Sequence, residues 1–321
     1  MARTTGCVVS LGEAMIRFSP PGRMRLEEAT SLEVRAAGAE ANFAAACARL
    51  GMQAAWITRL TDNPLGRLIE RSVARYGVDT SHIMWTEQHR VGTYYIEFGS
   101  PPRPTRILYD RAGSAMSQLR VEEMDWAPIR SSLCFHITGI TPALSNSCRE
   151  VTLRAMEEAR AGGGLVSFDL NYRSRLWTPE QARPVIDECF ARADLIFCSP
   201  EEVSLIFGQN GSVEVVLDWL GRGSSHRVVV LKLGAQGAAA WEKGTMYRVG
   251  AYPTETVDPI GTGDAFVAGF VYGYLNGNVE RGLRYGAAIA ALKRTIPGDV
   301  ALVTLQEVEE LLTTQEQRIR R

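Results

Sequence analysis

The sequence predicts an α/β fold, a doubly wound and mainly parallel sheet with helices on both faces, together with a small β-sheet lid. The chain has 321 residues, 45% of them hydrophobic and 22% charged, which is enough for a substantial core. Short apolar runs alternate with helical patterns along most of it, as in parallel sheets covered on both faces. Two stretches, 17–35 and 91–111, interrupt this alternation with Pro, Gly and alternating polar and apolar residues.

Core strands are predicted where short apolar runs occur. They are 7–11, 54–60, 133–138, 165–170, 195–198 and 228–231. Amphipathic patterns predict helices over 40–50, 64–76 and 147–160, and glycines end the first two. From Ala265 onward the pattern is helical, in three segments that end near Gln317.

The second irregular stretch predicts a hairpin that no helix covers. Residues 91–98 and 105–110 alternate like paired strands around a loop at 99–104. An ordinary surface hairpin is the alternative. We interpret the two stretches together as a lid built from about 14–37 and 90–112, on a single domain that spans 1–321.

Charge and cysteine usage limit the classes of function. Lys plus Arg number 35 and Asp plus Glu 36, a net charge of -1 that argues against nucleic acid or an anionic membrane surface as the main partner. No apolar run approaches the roughly 20 residues that span a bilayer, and Glu13 and Arg17 interrupt any signal-peptide pattern. The six cysteines form no CxxC pair and the four histidines show no zinc-ligand spacing. We therefore expect buried, reduced thiols and a cytoplasmic protein.

The segment most informative about chemistry is a Gly-rich turn at 256–266 that leads directly into an apolar helix. Gly261, Thr262 and Gly263 place backbone N–H groups at the helix N-terminus, where the helix dipole favours an anion. Asp264 follows, where a carboxylate can accept a proton from an attacking hydroxyl. Phosphoryl transfer needs such an anion cradle beside a base. For the turn alone, a capped helix after a loop is the alternative.

Motifs of other nucleotide-dependent classes are missing from the sequence. There is no GxxxxGK[ST], no GxGxxG after a strand and no protein-kinase motif set, which argues against P-loop NTPases, nicotinamide-dependent dehydrogenases and protein kinases. A second cluster, 37–43, begins a helix with small residues, and Asn42 offers a donor and an acceptor to a sugar hydroxyl. Tight packing of helix on strand would explain Gly38 but not Asn42.

These segments resemble the two signatures of the ribokinase-like (PfkB) carbohydrate kinases, in the same order and over nearly the whole chain. The signatures are Gly38…Asn42…Leu50-Gly51 and Asp258-Pro-Ile-Gly-Thr-Gly-Asp264. Segments 168–177, 199–202 and 231–238 also fit the family. Within it the chain is most similar to 2-keto-3-deoxygluconate kinases, and the segments that carry this likeness are 109–115, 137–144 and 171–173.

The resemblance implies a kinase that moves the γ-phosphate of ATP to the 6-hydroxyl of 2-keto-3-deoxygluconate with Mg²⁺, and it leaves a monovalent cation as a further cofactor to test. Asp264 is implied as the base and Gly261–Gly263 as the anion hole. The sugar-acid site is implied to contain Gly38, Asn42, Tyr94, Arg111, Arg173, Asp264 and Asp299. The nucleotide side is implied to contain Asn171, Ser199, Lys232, Gly234, Gly237, Gly261 and Gly263, with Glu202 reaching the metal through water.

The chain departs from the family pattern at a few places: Ala37-Gly38 stands for Gly-Gly, Ser199 for Asn, Asp110 for a frequent aromatic residue, and the residues after Asp299 are atypical. A sugar acid needs a cation for its carboxylate. Arg111 ends the second lid strand and Arg173 ends a core strand, so both can face one cleft beneath the lid and bind a carboxylate bidentately.

Other functions remain open from the sequence. A PfkB kinase of a neutral sugar, of the fructokinase or ribokinase type, or of a related deoxy-ketogluconate would carry the same motifs. A sugar- or nucleotide-sensing protein without catalysis is the alternative from a different class, and the intact Asp264 argues against it. Because a β lid exposes strand edges, we also expect a homo-oligomer through the lid.

Overall fold

The computed structural model describes residues 6–222 and 228–319, and within them the strands form a nine-stranded and a four-stranded sheet. The strands are β1 (Cys7–Leu11), β2 (Met15–Ser19), β3 (Glu33–Ala37), β4 (Gln53–Thr61), β5 (Ile83–Thr86), β6 (Thr93–Glu97), β7 (Arg106–Asp110), β8 (Cys134–Thr138), β9 (Leu165–Asp169), β10 (Leu195–Cys198), β11 (Val228–Lys232), β12 (Ala238–Glu242) and β13 (Thr245–Val249). The α-helices are α1 (Ala39–Arg49), α2 (Pro64–Ala74), α3 (Ala127–Arg130), α4 (Ile140–Ala143), α5 (Asn146–Ala161), α6 (Pro179–Arg192), α7 (Pro200–Phe207), α8 (Val213–Arg222), α9 (Thr262–Leu275), α10 (Val279–Arg294) and α11 (Leu305–Ile319).

The main sheet has the strand order β13-β12-β11-β10-β9-β8-β1-β4-β5. Strands from β11 to β5 pair in parallel, and β12 and β13 add an antiparallel hairpin at one edge. The strand order reverses between β1 and β8, since the chain first builds outward to β5 and then returns to the other side of β1. In such sheets a crevice opens at the carboxyl ends of the two strands beside the reversal.

The second sheet, called the small sheet below, has the order β3-β2-β6-β7. Its strands lie within both stretches predicted to form a lid. Met15, Ala37, Tyr94 and Ile96 form a small apolar cluster on its inner face. The predicted α/β fold with a doubly wound sheet and a small additional sheet is confirmed.

Apolar packing covers both faces of the main sheet. Trp56 and Phe270 belong to the core on the side of α1, α9 and α10, whereas Phe135 and Phe168 belong to the core on the side of α5 and α6. Five of the six cysteines are buried and all six are free thiols. None of the described helices is both long and apolar enough to cross a bilayer.

The six predicted core strands are confirmed to within one residue at each end. Strands β5, β12 and β13 were not predicted, and β12 contains three alanines, which have little β-propensity. Helix α9 begins three residues before the predicted Ala265, because Gly261 caps it with a positive φ of 78°.

A buried ion-pair cluster joins the small sheet to two loops of the main body. The guanidinium of Arg17, 2% exposed, lies 2.9 Å from Asp258 Oδ2 and also bonds Asp299 Oδ1. The Tyr94 hydroxyl donates to Asp299 Oδ2 at 2.6 Å. Two carboxylates far apart in sequence are thus held by one arginine of β2, and they raise the pKa of that guanidinium against the effect of burial.

Replacing Arg17 with Met should lower the free energy of unfolding by about 3–5 kcal/mol, because it leaves two buried carboxylates without their cation. Urea denaturation measures this. Arg25→Met is the control, since that side chain is 47% exposed and contacts Glu97 only at 3.4 Å. A loss in Arg17→Met no larger than in the control would show that the cluster contributes little to stability.

Candidate active site

A cleft of about 290 Å³ lies between the carboxyl ends of the main sheet and the small sheet. The main sheet, its loops and the starts of α1 and α9 line one side of it. The lining residues are Glu13, Gly38, Ala39, Glu40, Asn42, Ile140, Asp169, Asn171, Arg173, Lys232, Pro259–Asp264 and Asp299, with Met15, Ala37, Tyr94, Ile107, Tyr109 and Arg111 from the small sheet and its ends. The predicted sugar-acid residues are therefore all brought to one cleft.

The first turn of α9 forms the floor of the cleft. Its first intrahelical hydrogen bond runs from Ala265 N to Gly261 O at 3.0 Å, so the N–H groups of Gly263 and Asp264 have no acceptor inside the helix. A Cβ on Gly261 would lie 1.8 Å from the carbonyl oxygen of Asp299, so only glycine fits there. In front of Gly263 the nearest atom to such a Cβ is Lys232 Nζ at 3.8 Å. An anion can reach these N–H groups with an ammonium beside it.

Asp264 is buried in this turn and is held by the start of α1. Asn42 Nδ2 donates to Asp264 Oδ2 at 2.8 Å. Burial raises the pKa of Asp264 to about 6, although the hydrogen bond from Asn42 lowers it. Asn42 lines the cleft, and its buried Oδ1 has no hydrogen-bond partner among the described residues, so it keeps a free acceptor.

A second carboxylate, Asp169 at the end of β9, is paired with the ammonium of Lys232. Nζ lies 2.6 Å from Asp169 Oδ1 and 2.7 Å from Oδ2. Burial lowers the pKa of Lys232, but Asp169 and Glu202 outweigh it and raise that pKa above its usual value. This cation is therefore fixed beside the anion-binding turn.

Ser199 and Glu202 form a reciprocal cap at the start of α7. Glu202 Oε2 accepts from Ser199 N and Oε1 accepts from Tyr172 N, both at 2.8 Å. Each oxygen keeps a lone pair for a further donor such as a water. Within 6–222 and 228–319 no three acidic, His or Cys side chains cluster as a metal site.

The two predicted carboxylate-binding arginines differ in their surroundings. Arg111 is paired with the buried Glu13, which also accepts from Ser114. Its Nε is buried without a hydrogen-bond partner in the described part of the chain. Arg173 is exposed at the cleft and forms no salt bridge with an acidic side chain in 6–222 or 228–319. Of these two arginines, therefore, only Arg173 has no salt bridge to a carboxylate among the described residues, although its charge acts on Asp264.

Other predicted residues have clear packing roles. A Cβ on Gly38 would lie 2.1 Å from the carbonyl oxygen of Glu13, so this glycine lets α1 start against the connection between β1 and β2. Gly234 and Gly237 lie in the turn after β11 and do not line the cleft. Gly237 has a φ of +93° and packs against Val249 O. Their predicted contact with a nucleotide stays a prediction.

Glu40 was missed by the sequence analysis. Its Oε1 accepts from Thr138 N, Thr138 Oγ1 and Thr141 Oγ1 at 2.8–3.1 Å. Burial raises its pKa to about 7. A Cβ on Gly12 would lie 2.2 Å from this carboxyl group, so the glycine that follows β1 was the available signal.

Comparison with known proteins decides the family. The model of the pfkB family carbohydrate kinases matches residues 7–304. The chain belongs to this PfkB family. The prediction made from the two signatures is thereby confirmed, and the chain is a sugar kinase.

Relatives with assigned activities match along nearly the whole chain. A 2-dehydro-3-deoxygalactonokinase of Haloferax volcanii is 42% identical over 96% of this chain and 97% of its own length. A 2-dehydro-3-deoxygluconokinase of Thermoproteus tenax is 33% identical over 95% and 94%. The crystal structure of a 2-dehydro-3-deoxygluconokinase of Thermotoga maritima superposes with a TM-score of 0.92, at 32% identity over 96% of this chain and all of that one.

The pKa of Asp264 predicts the acidic limb of the pH profile. We hypothesise that Asp264 is the base; its carboxyl must then be ionised to accept a proton, so kcat/KM should fall as pH drops through about 6. In Asn42→Ala the limb should move to higher pH, because the lost hydrogen bond favoured the ionised form. Initial rates between pH 4.5 and 8.5 measure both.

Glu40→Gln is the control for that profile, since Glu40 is the other carboxyl lining the described cleft with a raised pKa. The limb should stay near pH 6 in this variant. A limb that follows Glu40, or one at the ordinary aspartate value, would contradict the assignment of Asp264.

Proposed function

We propose that this PfkB kinase transfers the γ-phosphate of ATP to the 6-hydroxyl of 2-keto-3-deoxygluconate, with Mg²⁺. The observation that carries the proposal is one cleft that combines a buried carboxyl at a helix N-terminus with an exposed arginine, Arg173, that has no salt bridge among the described residues. The relative from Haloferax volcanii favours the galactonate epimer as the second candidate. Both are 2-keto-3-deoxy sugar acids and make the same demands on the site.

In the proposed reaction Asp264 accepts the proton of the 6-hydroxyl while the hydroxyl oxygen forms a bond to the γ-phosphorus. The bond between that phosphorus and the β–γ bridging oxygen breaks, and ADP leaves. Asn42 orients Asp264 through the 2.8 Å hydrogen bond. The N–H groups of Gly263 and Asp264, with Lys232 beside them, stabilise the charge on the transferred group.

Magnesium would neutralise phosphate charge during transfer. The donor set fits an ion that arrives with the nucleotide, because the Glu202 oxygens each retain a lone pair for a metal-bound water. Ser199 accepts from Glu202 N at 3.2 Å, which leaves its hydroxyl hydrogen to donate. We assign these two residues to the outer shell of the metal.

We place ATP along the carboxyl ends of β9, β10 and β11. Asn171, Ser199 and Gly234 follow these three adjacent parallel strands, which supports a binding groove at that edge. Lys232 ends β11 and points its ammonium to the Gly263 turn, so it bridges nucleotide side and cleft.

We assign the sugar-acid carboxylate chiefly to Arg173. Glu13 already neutralises Arg111, so a second carboxylate gains less from that side chain. Tyr94 and Asp299 are joined by a hydrogen bond and both line the cleft. We propose that they contact the sugar and also hold the small sheet in place.

We further propose that the small sheet acts as the lid of a single domain and pairs with a second copy. Val34 on β3 and Leu108 on β7 are 49% and 55% exposed, which supports an association surface there.

A cytoplasmic location is supported by the free thiols, five of them buried.

Asp264→Asn should lower kcat by about 10²- to 10⁴-fold, the range for removing a positioned general base. The fold should persist, since the amide of the substituted side chain can still hydrogen-bond with Asn42. Asp187→Asn, on the exposed side of α6, is the matched control. Turnover of Asp264→Asn close to that of the control would remove Asp264 from the mechanism.

Arg173→Ala should reduce kcat/KM for 2-keto-3-deoxygluconate by roughly 10- to 100-fold, the worth of one charge-assisted bond. Neutral sugars that still react should lose far less. ADP release with gluconate and galactonate epimers, fructose and ribose measures this, with the exposed Arg175→Ala as control. Equal losses on acid and neutral sugars would favour a neutral-sugar kinase.

A further inference from the structure

Lysine is rare in this chain, which has 32 arginines but only three lysines. Two of the three have ammonium groups close to the proposed anion-binding turn. Lys232 lies beside Gly263, and Lys293, in the last turn of α10, has a side chain that is wholly buried. A compact ammonium with three donors suits a site that a planar guanidinium would not fill.

The ammonium of Lys293 is bound by main-chain carbonyl oxygens. Nζ donates to Asp258 O at 2.8 Å and to Ile296 O at 3.3 Å. The first carbonyl belongs to the segment that leads into the Gly261 turn, and the second to the loop after α10. Lys293 therefore connects the two segments that meet beneath the anion-binding turn.

These two segments are packed in direct contact. Gly298 N donates to Asp258 Oδ2 at 3.0 Å, and the Gly261 turn lies against Asp299 O. A shift of either segment would move the N–H groups at the start of α9. The contacts of Lys293 thus bear on the geometry of the anion-binding turn, although this residue does not line the cleft.

Charges of both signs act on Lys293 within the described residues. Arg17 and Lys293 are the cations, Asp258 and Asp299 are the carboxylates paired with Arg17, and Asp264 is a third carboxylate that acts on Lys293. Burial and Arg17 lower the pKa of Lys293, whereas Asp258, Asp299 and Asp264 act to raise it. An additional cation here would have to leave water beside two cations, Arg17 and Lys293, that are already buried.

We infer that the ammonium of Lys293 takes the place of a monovalent metal ion beneath the anion-binding turn, so that this kinase works without K⁺. Main-chain carbonyl oxygens are the ligands by which proteins coordinate K⁺. Here the carbonyls of Asp258 and Ile296 already accept from Nζ, so the loops do not fit an added alkali ion. Lys293 is then a positioning residue that acts through the Gly261–Asp264 turn, and the inference rests on the proposed role of that turn.

The wild-type enzyme provides the first test. Its kcat and KM should agree within about twofold between KCl and tetramethylammonium chloride at equal ionic strength, since the fixed ammonium needs no replacement. Its thermal midpoint should be the same in both salts. A severalfold rise of kcat with K⁺ would overturn the inference.

Two variants of Lys293 separate the charge from packing. Lys293→Met fills the space without charge, and we expect kcat to fall about 10- to 100-fold, with a smaller change in KM and no recovery in any salt. Lys293→Ala leaves a cavity between the same two carbonyls. Its activity and its thermal midpoint should rise with K⁺, ammonium or methylammonium, but not with tetramethylammonium, which is too large.

Lys243→Met is the control, because it removes an exposed ammonium in the turn between β12 and β13. It should behave as the wild type in every salt. A Lys293→Met variant with control-level kcat would overturn the inference, as would a folded Lys293→Ala variant whose thermal midpoint ignores K⁺. The melting experiments need no substrate, so they remain decisive if the proposed sugar acid is wrong. If both variants fail to fold, the wild-type salt series decides alone.

Discussion

The site depends on one buried arginine that links parts of the chain far apart in sequence. Arg17 lies on β2 of the small sheet and bonds Asp258 and Asp299, which are 241 and 282 residues away. Asp258 leads into the turn at the start of α9, and Asp299 packs against Gly261 in that turn. The same ion pairs therefore position both the small sheet and the anion-binding turn. They thereby determine the shape of the cleft between the two.

Burial has a second consequence at Asp264. A carboxyl that is removed from water holds its proton more tightly, which brings its pKa to about 6 and makes it a better proton acceptor near neutral pH. Without a hydrogen-bond donor to the carboxylate, the same burial would raise the pKa of Asp264 further. Asn42 supplies that donor at 2.8 Å. Residues of the first family signature, at the start of α1, thus lower the pKa of the proposed base in the second signature, at the start of α9.

The sequence predicted those parts of the structure that depend on interactions between residues close together in the chain. The apolar runs of the core strands, the glycines of the Gly261 turn and the carboxyl of Asp264 were all readable, because each depends on near neighbours in sequence. Pairing across long separations was not. Nothing near Arg111 indicates that Glu13, 98 residues earlier, neutralises it. From the sequence, Lys293 is an ordinary residue at a helix end, and only the fold shows that its ammonium donates to Asp258 O.

The central claim, phosphorylation of a 2-keto-3-deoxy sugar acid at its terminal hydroxyl, is tested most directly by identifying the product. The purified enzyme is incubated with ATP, Mg²⁺ and 2-keto-3-deoxygluconate, and the mixture is followed by ³¹P NMR with proton coupling retained. The account predicts a single new phosphomonoester whose phosphorus couples to the two protons on C6. A phosphoester on another carbon, or none with this acid while a neutral sugar is phosphorylated, would contradict it.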